Sequence, residues 1–150
     1  MKALLQRVTE ASVSVNGEVV GNINQGLVVL LGVAAGDTEQ DAQYLVQKII
    51  NLRIFADEQG KFNLSVMDIR GELLLVSQFT LLADTRKGRR PSFTGATPPD
   101  RAEELFNYFV GEVKASGLNT ATGRFQQYMQ VEIHNDGPVT VMLDSHDRPN

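Results

Sequence analysis

A chain of 150 residues, 42% hydrophobic and 21% charged, is long enough for one self-sufficient core and too apolar to stay disordered. It contains no cysteine, which removes thiol nucleophiles, thiolate metal sites and disulfides together and suits a reducing compartment. A net charge of -4 and a pI near 5.1 exclude grip on nucleic acid through a global basic field, so any RNA contact must come from a local patch.

Met1 to Arg7 places an arginine where a signal peptide would continue its apolar stretch. The longest purely apolar runs, such as Leu27 to Leu31, fall far short of the roughly 20 residues of a membrane span. The expectation is a cytoplasmic protein with no membrane attachment, folded as one domain over residues 1–150.

The first third reads as strands. Ala3 to Val8 and Ala11 to Val15 are rich in apolar and β-branched residues. Asn16-Gly17 is a strong two-residue hairpin signal, because both positions of a type I′ turn need positive φ, and Glu18 to Ile23 should return antiparallel. Gly26 to Val33 is a continuous apolar run of strand length, as expected of a strand covered on both faces.

Asp37 and Thr38 offer N-cap chemistry for a helix from about Glu39 to Asn51, with Ala42, Leu45, Val46, Ile49 and Ile50 on one stripe. Leu52 to Phe55 reads as a further strand ended by the turn Asp57-Glu58-Gln59-Gly60. Glu72 to Gln78 reads as a second buried strand. Residues 83–100 hold three of the five prolines and a cluster of basic residues, the composition of a long loop, ordered or mobile, and long loops in compact domains are usually functional or disordered.

Pro98-Pro99-Asp100 introduces a helix to about Ser116, with Ala102, Leu105, Phe106, Phe109 and Val113 inward and Gly117 as its stop. After a polar stretch, Met129 to His134 alternates as a strand, Asn135-Asp136-Gly137-Pro138 turns the chain, and Val139 to Leu143 returns. Residues 144–150 read as a polar, frayed tail. The expected fold class is α/β: a single compact domain of mostly β-sheet layers with two main helices.

Side-chain catalysis finds little to work with. There are two histidines, His134 and His146, and no GxSxG elbow for a serine nucleophile. His134, Asp136, Asp144 and His146 have ligand chemistry for zinc or manganese across the expected C-terminal hairpin. Charged residues in a turn and tail are also expected for solubility alone, and no metal or other cofactor is assigned.

Ser77-Gln78-Phe79-Thr80 follows the apolar strand Leu73 to Val76, where strand ends in α/β sheets face ligands. Its uncharged hydroxyls, amide and free backbone N–H groups suit a developing oxyanion, although on the pattern alone a strand turning polar at the surface is the readier explanation. Gly137-Pro138 has a backbone closed to most residue pairs, or is an ordinary turn. Arg86, Lys87, Arg89 and Arg90 put four of the 14 Lys and Arg residues within five positions, a patch fit for phosphate or simply a solvated loop.

Taken together, the segments Gln6-Arg7-Val8, Val76-Ser77-Gln78-Phe79-Thr80-Leu81, Arg90-Pro91-Ser92-Phe93, Thr122-Gly123-Arg124-Phe125, Met129-Gln130-Val131 and Asn135-Asp136-Gly137-Pro138-Val139-Thr140 resemble the D-aminoacyl-tRNA deacylase family. The similarity spans about residues 1–143. It implies a homodimer with active sites at the subunit interface. Gly137-Pro138 in the cis form would reach from one subunit into the other's pocket, with Arg7 holding that turn and Met129 at the substrate.

It also implies hydrolysis of the ester bond of D-aminoacyl-tRNA, with L-aminoacyl esters rejected and glycyl-tRNA accepted as a side substrate. Ser77, Gln78, Phe79 and Thr80 would form the catalytic segment, and the tRNA acceptor end would be the partner. The rival readings are a general esterase at the same oxyanion site and a non-catalytic RNA-end or nucleotide-binding module built on the basic loop.

Overall fold

The computed structural model describes residues 1–149. Eight strands and two helices run in the order β1 (Lys2–Val15), β2 (Glu18–Ile23), β3 (Gly26–Gly32), α1 (Glu39–Asn51), β4 (Phe55–Ala56), β5 (Phe62–Leu64), β6 (Glu72–Ser77), α2 (Pro99–Ala115), β7 (Thr120–Thr122) and β8 (Gln130–Asp144). Six strands form one mixed sheet in the order β2-β1-β3-β6-β7, with β8 on the other side of β1, and β4 pairs with β5 separately.

The two stretches expected as separate strands before Asn16 are one strand, β1. Thr9 and Glu10 do not break it, because β8 pairs with β1 on either side of them through register shifts between Gln6 and Glu10. Beyond β1 the chain turns at Asn16 (φ 51) and Gly17 (φ 79), and β2 returns antiparallel as expected.

β3 and β6 pair in parallel from Gly26 opposite Glu72 to Leu31 opposite Ser77. Both are buried on both faces. Leu27, Val29, Leu31, Leu73 and Leu75 meet the helices, and Val28, Leu74 and Val76 meet a second apolar cluster with Val8, Ala11, Val13 and Ile23. β1 therefore serves two cores, Ala3 and Leu5 the first and Val8 to Val13 the second. The sheet curls until β2 meets β7: a Cβ on Gly21 would lie 2.8 Å from the Thr122 carbonyl.

α1 begins at Thr38 in a capping box with Asp41. It buries the expected stripe of Ala42, Leu45, Val46, Ile49 and Ile50 against the sheet and α2. Each of its larger aliphatic side chains contributes about 1.5–3 kcal/mol over its exposed state. α2 buries Leu105, Phe106, Phe109 and Val113 and stops before Gly117 (φ +86).

Four expectations are corrected. Leu52 to Ile54 are not strand, and only Phe55 and Ala56 pair with β5. The polar stretch 119–123 contains β7, a three-residue edge strand too short for periodicity to register.

Asn135 to Pro138 do not reverse the chain. β8 runs antiparallel to β1 from Gln130 opposite Ser14 to Asp144 opposite Lys2, and residues 136–139 bulge out of it. The Asn135 side chain closes this bulge, donating to the carbonyls of Arg7 at 3.2 Å and Val139 at 3.0 Å.

The tail is not frayed through its described length. Ser145–Asp147 form a 3-10 turn, and Ser145 is fully buried, its amide bonded to the Met1 carbonyl at 2.9 Å. The expectation for Asn150 lies outside the described residues.

Candidate active site

β6 delivers Ser77 and Gln78 to the surface. The Gln78 amide donates to the Leu31 carbonyl at 2.8 Å as the ladder's last bond, and Phe79–Leu82 then coil into a 3-10 turn. The turn packs on the end of β3 because Gly32 is small: a Cβ there would sit 3.2 Å from the Gln78 carbonyl and the Leu81 Cβ. The amides of Phe79 and Thr80 open the turn, where helical N–H groups have no acceptor within the helix. The Thr80 hydroxyl accepts from the Gln78 side-chain amide.

The segment after this turn is ordered by backbone pairing. Asp84 and Ser92 exchange hydrogen bonds of 2.7 and 2.9 Å, and Ala35 and Thr97 donate to Gly95 and Val33 at 2.9 and 3.2 Å. These ties place Phe93 edge-on to Phe79, with ring centroids 4.9 Å apart at 64°. Residues 83–98 are thus a structured wall, and of the two states their composition allows, the ordered one holds.

Behind the wall lies a cavity of about 720 Å³. Val76, Ser77 and Gln78 from the end of β6, Phe79, Phe93 and Pro98 from the segment that follows, and Phe125, Tyr128 and Met129 from the approach to β8 all line it. Gly123 admits Met129, since a Cβ there would come within 2.6 Å of its sulfur. Gln126, at φ 60, holds a left-handed backbone in the wall, where such conformations concentrate at working sites. Apart from the Tyr128 hydroxyl, the lining residues carry no ionisable side chain. A smaller polar cavity of about 190 Å³ beside Glu10, Asn22, Glu132 and His134 has no such convergence of apolar walls and backbone donors.

Ser77, Gln78, Phe79 and Met129 thus meet at one cavity, whereas Thr80, next to Phe79 in the turn, is exposed and does not line it. Gly137, Pro138 and Arg7 do not line it. They cluster at the β8 bulge, where the Gly137–Pro138 peptide is cis. Arg7 donates from Nε to the Asp136 carbonyl at 3.2 Å and from Nη1 to the Ile54 carbonyl at 2.8 Å, with its guanidinium over the Phe62 ring. It therefore holds the bulge through the carbonyl just before Gly137. Gly137 and Pro138 themselves lie at the surface on the bulge.

The basic residues sit at the tip of the Asp84–Ser92 hairpin. Arg86 is committed to Asp84 through bonds of 2.9 and 2.7 Å. This pairing holds the Asp84 carboxyl below and the Arg86 guanidinium above their ordinary values. Lys87, Arg89 and Arg90 are exposed, and no ion pair engages them among the described residues.

The four residues with ligand chemistry, His134, Asp136, Asp144 and His146, do not all come together, because there is no C-terminal hairpin; only Asp144 and His146 meet, at 3.2 Å. His134 stands opposite Glu10 and Asp144 opposite Lys2, roughly 26 Å apart along β1 at about 3.3 Å per residue. Phe93 and Phe125, which enter the sequence reading only as members of the family segments, and Tyr128, which does not enter it, are wall residues to which sequence reasoning assigns no site role. Their signal is faint: single aromatics set in otherwise polar loops.

Comparison with known proteins decides the family. The profile described as D-Tyr-tRNA(Tyr) deacylase matches residues 4–144, nearly the whole chain. The chain belongs to the D-Tyr-tRNA(Tyr) deacylase family. A D-aminoacyl-tRNA deacylase of Dehalococcoides mccartyi is 63% identical over all of this chain and 98% of that protein.

Among solved structures, one described as the c-Myc DNA Unwinding Element Binding Protein is 47% identical with a TM-score of 0.91, covering 96% of this chain and 98% of that one. Another, described as a probable eukaryotic D-amino acid tRNA deacylase, shares the fold at a TM-score of 0.82 and 18% identity, covering 95% of this chain and 98% of that one.

Proposed function

We propose that this chain hydrolyses the ester linking a D-amino acid to the terminal ribose of tRNA, and that it does so as a homodimer. Family membership carries the reaction. The uncharged cavity at the end of β6 carries the manner of catalysis. With no histidine, carboxylate or lysine in the lining, no side chain stands ready as general base. Aminoacyl esters are reactive, and fixed dipoles with correct positioning supply the remaining barrier reduction. Water attacks the ester carbonyl, aided by the ribose 2′-hydroxyl. The amides of Phe79 and Thr80 face the oxyanion, and Ser77 and Gln78 shape the pocket.

Two features support a second copy as part of the site. β8 pairs only with β1 among the described residues, leaving the other edge of a 15-residue strand open. Long open edges invite pairing. Phe79 is 58%, Tyr128 95% and Met142 50% exposed, an apolar exposure typical of a covered surface. The bulge with Gly137 and Pro138 projects from the same strand. In the dimer it enters the partner's cavity.

The filter then follows from sterics. A D-amino acid turns its α-hydrogen toward the Gly137 and Pro138 carbonyls, whereas an L-amino acid drives its side chain into them. Glycine presents a hydrogen either way, so glycyl-tRNA is a side substrate. Lys87, Arg89 and Arg90 take phosphates of the acceptor end.

The test is paired deacylation of D-tyrosyl-tRNA and L-tyrosyl-tRNA by catalytic amounts of protein, with oligomeric state measured by sedimentation. Release from the D ester alone, by a dimer, is expected. Equal release from both esters removes the filter. Equally fast hydrolysis of small D-amino acid esters makes the protein a general esterase. Tight tRNA binding with no release makes it an RNA-end binding module.

A further inference from the structure

The end of β8 brings the chain's tail against the start of α1, at a group of residues the deacylation reading does not use. Asp37 and Asp41 are each 5% exposed. In both carboxylates one oxygen is fully engaged. Asp37 Oδ2 accepts from the Ala34 amide at 2.7 Å and from the Met1 ammonium at 2.7 Å. Asp41 Oδ2 accepts from the Thr38 amide at 2.8 Å and its hydroxyl at 3.2 Å.

The other oxygen of each, Oδ1, is buried and has no hydrogen-bond partner. Such atoms are rare in folded proteins and call for an explanation such as an ion. His146 Nε2 at 3.8 Å from Asp37 Oδ1 and Arg148 Nη2 at 3.7 Å from Asp41 Oδ1 stand just beyond hydrogen-bond range.

We propose that Asp37 Oδ1, Asp41 Oδ1 and His146 Nε2 bind one zinc ion, clipping the tail to the N-terminus of α1. The three side chains offer ligand atoms within 4.8 Å of one another. Tetrahedral zinc with bonds of about 2.0–2.1 Å holds its ligand atoms roughly 3.3 Å apart, so the site needs a modest contraction. His146, 65% exposed at its side chain and carried on a single 3-10 turn, is free to supply it.

One imidazole nitrogen and two carboxylate oxygens suit zinc, with water as the fourth ligand. A partner for the imidazole's other nitrogen is in place as well. His146 Nδ1 lies 3.2 Å from Asp144 Oδ1, and ligand histidines almost always donate their other ring N–H to such a group. Charge permits it: the two buried carboxylates are met closely by the Met1 ammonium at 2.7 Å and only loosely by Arg148 at 3.7 Å, and a bound dication takes the place of Arg148, which withdraws to solvent. None of the three ligands lines the large cavity, so the ion secures the fold and leaves deacylation alone.

Isothermal titration of zinc chloride into the untagged, chelator-treated full chain tests this. One zinc per chain is expected, with a rise in Tm on loading. His146→Ala abolishes both, while His134→Ala, which alters the other histidine, keeps both. Asp144→Asn weakens binding by about 10- to 100-fold, the usual effect of removing the group that orients a ligand histidine. Failure of the wild-type chain to take up a stoichiometric zinc overturns the proposal. So does binding that persists at full strength in His146→Ala. Asp37→Ala is avoided, because that carboxylate also holds the Met1 ammonium and the fold could fail for that reason alone.

Discussion

Replacing Arg7 separates a role in stability from a role in selection. The side chain is 12% exposed and donates to two backbone carbonyls, those of Asp136 and Ile54, while stacking over Phe62 at 5.3 Å. Hydrogen bonds from a charged donor contribute about 1.5–3 kcal/mol each, and the ring contact about 0.5–1 kcal/mol at a partly exposed site. The ion pair with Asp136, at 3.3 Å and with the carboxylate 42% exposed, adds at most about 1 kcal/mol.

Water entering the vacated space recovers part of this, so Arg7→Ala loses about 3 kcal/mol in urea unfolding. Arg7→Lys keeps the charge, but a point-like ammonium cannot span two carbonyls from the guanidinium's positions. Both variants release the Asp136 carbonyl and let the bulge shift. A misplacement of about 1 Å in a positioning element alters rates by about 100-fold. The ratio of D- to L-tyrosyl-tRNA deacylation should therefore fall by that order in Arg7→Lys, measured on folded dimer. An unchanged ratio in a variant of proven lower stability refutes the link between Arg7 and selection.

Three further outcomes are expected. Thr80→Ala retains most of the wild-type kcat on D-tyrosyl-tRNA, because the Thr80 hydroxyl meets Gln78 and no base; complete loss in a folded variant would make Thr80 the nucleophile. Changing Lys87, Arg89 and Arg90 together to Gln weakens tRNA binding. It flattens the slope of log affinity against log salt by up to about 0.9 for each phosphate no longer engaged, whereas an unaltered slope places the RNA elsewhere.

Glu72 accepts from the Asn24 amide at 2.8 Å and the Asn119 side chain at 2.6 Å, and these bonds hold its carboxyl below the ordinary value. A depressed carboxyl stabilises the fold above its unfolded pKa of about 4.3 and loses that contribution as pH falls through the folded value. Glu72→Gln therefore costs about 1 kcal/mol at pH 7, discounted for solvent access. The gap to wild type should close in acid below about pH 4; a gap constant with pH rules the charge out.

Local chemistry is what the sequence by itself determined. The Asn16-Gly17 turn, the Thr38 cap, the apolar stripes of α1 and α2 and the doubly covered strands β3 and β6 each depend on a few neighbouring residues. Their patterns survive in any context. The segment Ser77 to Thr80 is legible as a candidate site for the same reason, since a buried strand ending in uncharged polar residues is a local event.

What β8 does was decided only by the tertiary structure. Asn135 to Pro138 has every local mark of a reversal. Pairing with β1 on both sides, and the grip of Arg7 and Asn135 across more than a hundred residues, keep the strand straight and push the turn outward. The aromatic walls of the cavity and the ordered tail are equally hidden. Phe93 lies far in sequence from Phe125 and Tyr128, and Ser145 is buried where it meets Met1, at the other end of the chain. Non-local contacts write no periodicity into the chain, so no local pattern could announce them.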